Sequence, residues 1–175
     1  MRLVIADASS LILLAKCSLL RVYGERVTLL APHEVLTEAA AEKLWEAYPD
    51  AAEIARCAEK GLVQAESVRS RRELPLSLGK GEAAAIRLFL ETEADLVLTD
   101  DGRALRTCRL LGLPFTTTPR VIVDLRSNGA IRLSRARRAL EKVAVEGRYS
   151  RDVIAAALVA LMETKHDDTN DDPTP

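Results

Sequence analysis

Aromatic residues make up only 3% of this 175-residue chain. The core must then be built from Leu, Val, Ile and Ala, and there is little material for the aromatic platforms on which single-strand binders stack bases. Cysteine is equally sparse: Cys17, Cys57 and Cys108 are odd in number and scattered, with no C-x-x-C pair. That argues against a disulfide framework and a zinc site, and predicts a reducing, cytoplasmic setting. The two histidines are His33 and His166. A Ser-His-Asp triad would have to use His33, and no G-x-S-x-G elbow accompanies it. No glycine fingerprint follows the first apolar run, and Gly79-Lys80-Gly81 lacks the spacing of a phosphate loop. No apolar run nears the roughly 20 residues that cross a bilayer, and no basic-then-apolar leader opens the chain, so neither a membrane span nor a signal peptide is expected.

What is present is ordinary in bulk, with 48% hydrophobic and 29% charged residues, enough for one domain with a real core. The net charge of −1 hides an asymmetry. Residues 1–100 hold 12 basic and 16 acidic side chains, residues 101–151 hold 12 and 4, and the last 24 hold one Lys and six acids. Most cations of the middle segment are Arg, whose fork matches phosphate. A solvated helix surface accounts for the same charges.

The punctuation predicts alternating elements. Residues 2–6 read as a strand, with Ser9 or Ser10 capping a helix to Lys16 and a second short helix ending at Gly24. Val27–Ala31 reads as a strand, and Pro32 opens a helix to about Ala47 that Pro49-Asp50 breaks. A helix over 50–60, a short strand at 62–65, and an Arg-bearing loop over 67–79 follow. A helix over 81–92, a strand over 96–99, a helix over 102–111 and a strand over 115–117 complete the pattern, which predicts an α/β sandwich with a mostly parallel sheet. Helices near 119–127, 133–146 and 150–165 come last. The Asp-, Asn-, Thr- and Pro-rich end from His166 to Pro175 is expected to be disordered.

Two apolar runs end in acids: Leu3-Val4-Ile5-Ala6-Asp7 and Leu96-Val97-Leu98-Thr99-Asp100-Asp101. In one parallel sheet their carboxyl ends share an edge, where ligands bind in open α/β folds. Carboxylates crowded there call for a cation. With no His or Cys nearby, oxygen ligands favour Mg²⁺ or Mn²⁺. Each acid also has a structural explanation: Asp7 and Asp101 suit helix caps, and Glu82, in a first helical turn, suits the helix dipole. Glu34, Glu38, Glu42 and Glu46 recur every four residues, so they form one stripe away from the apolar face of Val35, Leu36, Ala39, Ala40, Leu44 and Ala47. Only Glu34 or Glu38 could overlook the strand ends, and periodicity does not choose between them.

Four stretches together resemble the PIN-domain ribonucleases, in particular VapC-like toxin components of toxin–antitoxin pairs and their longer, uncharacterised relatives. Val4-Ile5-Ala6-Asp7-Ala8-Ser9-Ser10-Leu11-Ile12 looks like the family's opening strand and acid. Ala31-Pro32-His33-Glu34-Val35-Leu36-Thr37-Glu38 looks like its Pro…Val…Glu segment and selects Glu38. Leu78-Gly79-Lys80-Gly81-Glu82-Ala83-Ala84-Ala85-Ile86 resembles its GE-x-x-A-I helix start, and Leu98-Thr99-Asp100-Asp101 its late acidic strand end. Order and spacing fit across residues 1–125. Departures are Leu105 after Ala104, which moves an expected Arg to Arg106, and Thr116-Thr117-Thr118-Pro119 in place of a Gly-Thr-rich turn.

The resemblance implies a three-layer α/β/α sandwich with four to five mostly parallel strands, residues 1–128, followed by a helical extension over 129–165 and the acidic tail over 166–175. It implies a Mg²⁺- or Mn²⁺-dependent ribonuclease acting on single-stranded or loop RNA. Asp7, Glu38, Glu82 and Asp101 would be catalytic and, with Asp100, would surround the metal. Ser9 and Thr99 would hydrogen-bond the ligands, and Asp100 and Asp101 are not separated in role. An antitoxin partner and a homodimer are implied as well. Arg69, Arg71, Arg72, Arg103 and Arg106 are candidates for guiding RNA, with Arg109, Arg132, Arg135, Arg137 and Arg138 on nearby or later helices. Two other readings compete: a non-catalytic RNA-binding or protein-interaction module on the same fold, and a phosphatase or receiver-like domain, for which no phosphate-binding Lys is well placed.

Overall fold

The computed structural model describes residues 1–164; the tail reading over 166–175 lies outside them. Two compact units divide at Thr118/Pro119. The first is built on a five-stranded, all-parallel sheet in the order β3-β2-β1-β4-β5. Its strands are β1 (Leu3–Ala6), β2 (Thr28–Pro32), β3 (Gln64–Glu66), β4 (Leu96–Leu98) and β5 (Phe115–Thr116). β1 lies between β2 and β4, with Ile5 opposite Leu30 on one side and Val97 on the other. The central strands are near-continuous apolar runs because both faces are covered.

The helices of this unit are α1 (Ala8–Lys16), α2 (Leu20–Gly24), α3 (His33–Ala39), α4 (Pro49–Glu59), α5 (Lys80–Glu91) and α6 (Gly102–Leu111). On one face Ala85 and Leu88 of α5 pack on Ile5 and Leu30. Ile86 meets Val97 together with Ala104 and Cys108 of α6. Side chains alternate along a strand, so Val4 and Ala6, both fully buried, face the other layer. There α1, α2 and α4 pack on one another. The architecture is the α/β/α sandwich that the alternation of elements predicts.

The segment after β2 departs from the pattern. Pro32 closes the strand and caps α3 with φ −56° and ψ 150°, and α3 stops at Ala39 instead of running to Ala47. A single 3₁₀ turn over Glu42–Leu44 follows. The indole of Trp45 donates to the Ala40 carbonyl at 3.0 Å and takes up one of the acceptors that a helix end leaves open. Ala39-Ala40-Ala41 contains no breaker, so this stop has no local signal. The four-residue Glu stripe is therefore cut after Glu38, and Glu42 and Glu46 stand in solvent outside α3. The third strand starts at Gln64, two residues later than its apolar run suggests.

The second unit, from Pro119 on, carries most of α7 (Thr118–Ser127), then α8 (Leu133–Glu146) and α9 (Arg151–Glu163). α8 and α9 pack together, burying Ala136, Ala139, Leu140 and Val143 of one and Ala157 and Leu161 of the other. No helix among the described residues is long and apolar enough to cross a membrane.

Candidate metal centre and nucleic-acid interface

β1 and β4 are neighbours, so their carboxyl ends, and the acids that follow, stand side by side. The Asp7 N–H donates to the Leu98 carbonyl at 3.1 Å, which locks the acid onto the end of β4. Because β1 sends the chain toward β2 on one side and β4 lies on the other, this is the switch point where an open sheet forms its crevice.

Asp7 is fully buried. It caps α1: its Oδ1 accepts from the Ser10 N–H at 3.0 Å and from the Ser9 hydroxyl at 2.8 Å. Its Oδ2 accepts from the Thr99 hydroxyl. Ser9 and Ser10 thus stand inside the helix that they were expected to cap. Burial pushes the Asp7 carboxyl up from 3.8 to about 6, against the lowering pull of Thr99, Ser10 and Ser9. The hydroxyls fall short because they are neutral dipoles offsetting a desolvated charge.

The same hydroxyls tie in the second strand. Ser9 Oγ accepts the Asp100 N–H at 3.0 Å and Thr99 Oγ1 accepts the Asp101 N–H at 3.1 Å. Asp101 caps α6, its Oδ1 taking the Arg103 and Ala104 N–H groups at 2.8 and 2.9 Å. Among the described residues its Oδ2 receives no hydrogen bond. Asp100 is engaged at both oxygens: Oδ1 takes the Thr118 N–H at 2.8 Å and Oδ2 the Thr118 hydroxyl at 2.5 Å. The two adjacent acids, indistinguishable in the sequence, have different surroundings.

Glu38 and Glu82 form a second pair. α3 packs against α5, and Glu38 Oε2 lies so close to Gly81 that a Cβ there would meet it at 2.7 Å. Glu82 curls back over Gly79. Glu38 is exposed as a residue, yet partial burial of its carboxyl and then the charge of Glu82 hold its pKa above the ordinary value. Glu34 is exposed in the first turn of α3. As the side chains stand, no three His, Cys, Asp or Glu among the described residues converge into a ready metal cage.

Two contributors escape the sequence reading. The buried Ser10 hydroxyl points to the carbonyls of Asp7 and Leu98, each at 3.0 Å, bridging α1 and β4. Thr118 holds Asp100; the run of threonines marks the place but not which member. The Arg loop is also anchored: Glu91 accepts the backbone N–H groups of Arg69 and Ser70, and Arg87 donates to the Arg72 carbonyl at 3.0 Å. Arg69, Arg71, Arg72, Arg103 and Arg106 are all exposed.

A search of curated proteins returned no match. A family model described as a PIN domain matches residues 3–163, a span that takes in α8 and α9. Proteins of this kind are in general nucleases that use divalent metals. With a parallel sheet of this order, acids gathered at its switch point and a match over almost the whole chain, the protein belongs to the PIN-domain family.

Proposed function

We propose that the protein is a metal-dependent endoribonuclease that cuts single-stranded or loop RNA, as the toxin of a type II toxin–antitoxin pair. The observation that carries this is the buried, cation-poor Asp7 beside Asp100-Asp101 at the ends of adjacent strands, in a chain of a nuclease family. The donor set is all hard oxygen, which suits Mg²⁺ or Mn²⁺. Among the described residues Asp7 Oδ2 accepts from Thr99 alone and Asp101 Oδ2 from none, so both keep lone pairs for an ion. Both oxygens of Asp100 are engaged by Thr118, which favours Asp101 as the ligand and Asp100 as its support. Asp7, Asp101, Glu38 and Glu82 would hold the ion or ions. When bound, such a metal lowers the pKa of water and offsets charge on the phosphate being cleaved.

The chain's own residues do the positioning. Ser9 and Thr99 set the plane of the Asp7 carboxylate, and the α6 cap sets that of Asp101. Glu38 and Glu82, side by side at the α3–α5 contact, would hold an ion or orient the attacking water. Asp7→Asn and Asp101→Asn should abolish Mn²⁺-dependent cleavage of single-stranded RNA while the circular dichroism spectrum is retained. Unchanged cleavage by both variants would sink the assignment.

The absence of a ready cage among the described acids favours a second reading, a non-catalytic RNA-binding module. Titration with Mn²⁺ separates the two: a nuclease site gains thermal stability through binding to the native state, and a module does not. For the antitoxin or a second copy, α9 offers exposed apolar surface at Val153, Leu158, Val159 and Met162. Light scattering of the chain alone and with its antitoxin tests both associations.

A further inference from the structure

A cavity of about 680 Å³ opens beside α6, lined by Leu76, Ser77, Arg103, Arg106, Arg109 and Leu110. Its volume falls in the range of roughly 300–1,000 Å³ typical of small-ligand sites. Three arginines and two leucines are an unusual lining. Arg103, Arg106 and Leu110 follow the three- and four-residue steps that put side chains on one helical stripe. The Leu110 side chain is 65% exposed, a large apolar residue left in solvent beside cations. Among the described residues neither Arg103 nor Arg106 is paired with a carboxylate. Arg109 instead lies over the Phe115 ring, 5.4 Å from its centre, a cation–π contact that fixes its position at the cavity. The cavity also begins next to the candidate centre, because the Arg103 N–H is bonded to Asp101 at 2.8 Å.

We infer that this cavity seats a nucleotide flanking the cleaved bond, with its phosphate on Arg103 and Arg106 and its base between Leu76, Leu110 and the Arg109 guanidinium. The inference rests on the nuclease reading and adds a substrate subsite to it. Unpaired Arg forks match phosphate oxygens. A splayed-out base is recognised by stacking on a guanidinium plane and on apolar side chains. An open pocket lined by six residues suits one nucleotide. A helical protein segment needs an elongated groove with anchors spread over two turns.

The test is binding of a short, labelled single-stranded RNA to the full chain in EDTA, followed by fluorescence anisotropy across a salt series. Each of Arg103→Gln and Arg106→Gln should lower the slope of log affinity against log salt by about 0.7, the value for one phosphate contact on a single strand. Arg106→Lys should keep the slope. Leu110→Ala should weaken binding roughly fivefold, in line with lost apolar contact, while binding of an oligonucleotide abasic at every position stays unchanged. Unchanged slopes in both Gln variants overturn the subsite, as does an absence of RNA binding by the parent chain. Displacement of the parent chain's RNA by an acidic peptide at equal affinity also overturns it, and assigns the cavity to a protein segment. Cleavage is scored separately with Mn²⁺. RNA binding that depends on the arginines without any cleavage would fail the nuclease reading and leave the cavity as a nucleotide-binding site with no cleaved bond beside it.

Discussion

Asp7 occupies an unfavourable electrostatic position. It is wholly buried, with neutral hydroxyls and an amide around its carboxylate. Its carboxyl, raised from 3.8 to about 6, binds its proton more tightly in the folded chain than in the unfolded one. Metal-free stability is then fullest below the unfolded value and declines as pH rises through about 6, by about 3 kcal/mol in all at 1.36 kcal/mol per pKa unit. Asp7→Asn, in EDTA, should therefore melt above the parent chain at pH 7.5, with the difference vanishing near pH 4. Melting curves at the two pH values check it, and an Asn variant less stable at both would refute the account. Ser10→Ala, which removes a buried bridge to two carbonyls, should cost about 1–2 kcal/mol by urea unfolding at any pH.

Among the elements, the helix starts do most of the work. In a parallel α/β unit each helix that follows a strand begins at the carboxyl edge, so α1, α3 and α6 bring their positive ends toward the acids. Gly81 shows how tightly α3 and α5 meet. Gly81→Ala should be near neutral for stability, since Ala gains up to about 1 kcal/mol in a helix and its Cβ crowds the movable end of Glu38 while making ordinary contact with Val35. It should nonetheless reduce cleavage by displacing that carboxylate; equal activity at equal melting temperature would separate Glu38 from the site. Glu91 is the corresponding anchor of the Arg loop. Glu91→Ala should speed tryptic nicking at residues 69–72 about threefold to tenfold, the effect of losing roughly 0.5–1.5 kcal/mol of local hydrogen bonding. Most elements were legible from apolar runs, glycines and prolines. The end of α3 was not, because it depends on Trp45 reaching back to the Ala40 carbonyl, a contact without periodic signature.

At the scale of the whole molecule, the proposed site would link metal, proton and fold through Asp7. Mn²⁺ at a hundred times its dissociation constant should stabilise the chain by about 2.7 kcal/mol. Its affinity should fall towards tenfold per pH unit below about pH 6, as the ion competes with the Asp7 proton. Calorimetric titration at pH 5 and pH 7.5 measures this, and a pH-independent affinity would place the metal away from Asp7. The sequence by itself determined the alternation of strands and helices, and the acids that end the strands, because these depend on short-range periodicity and punctuation. The choice of Glu38 over Glu34 came only through the resemblance of ordered motifs and stands as part of the proposed site. Only the tertiary structure decided that β1 and β4 are neighbours, that Asp100 is held by Thr118 while Asp101 keeps an oxygen open among the described residues, and that three arginines share a cavity with Leu76. Those facts depend on strand order and on contacts between residues far apart in the chain, which no local pattern encodes.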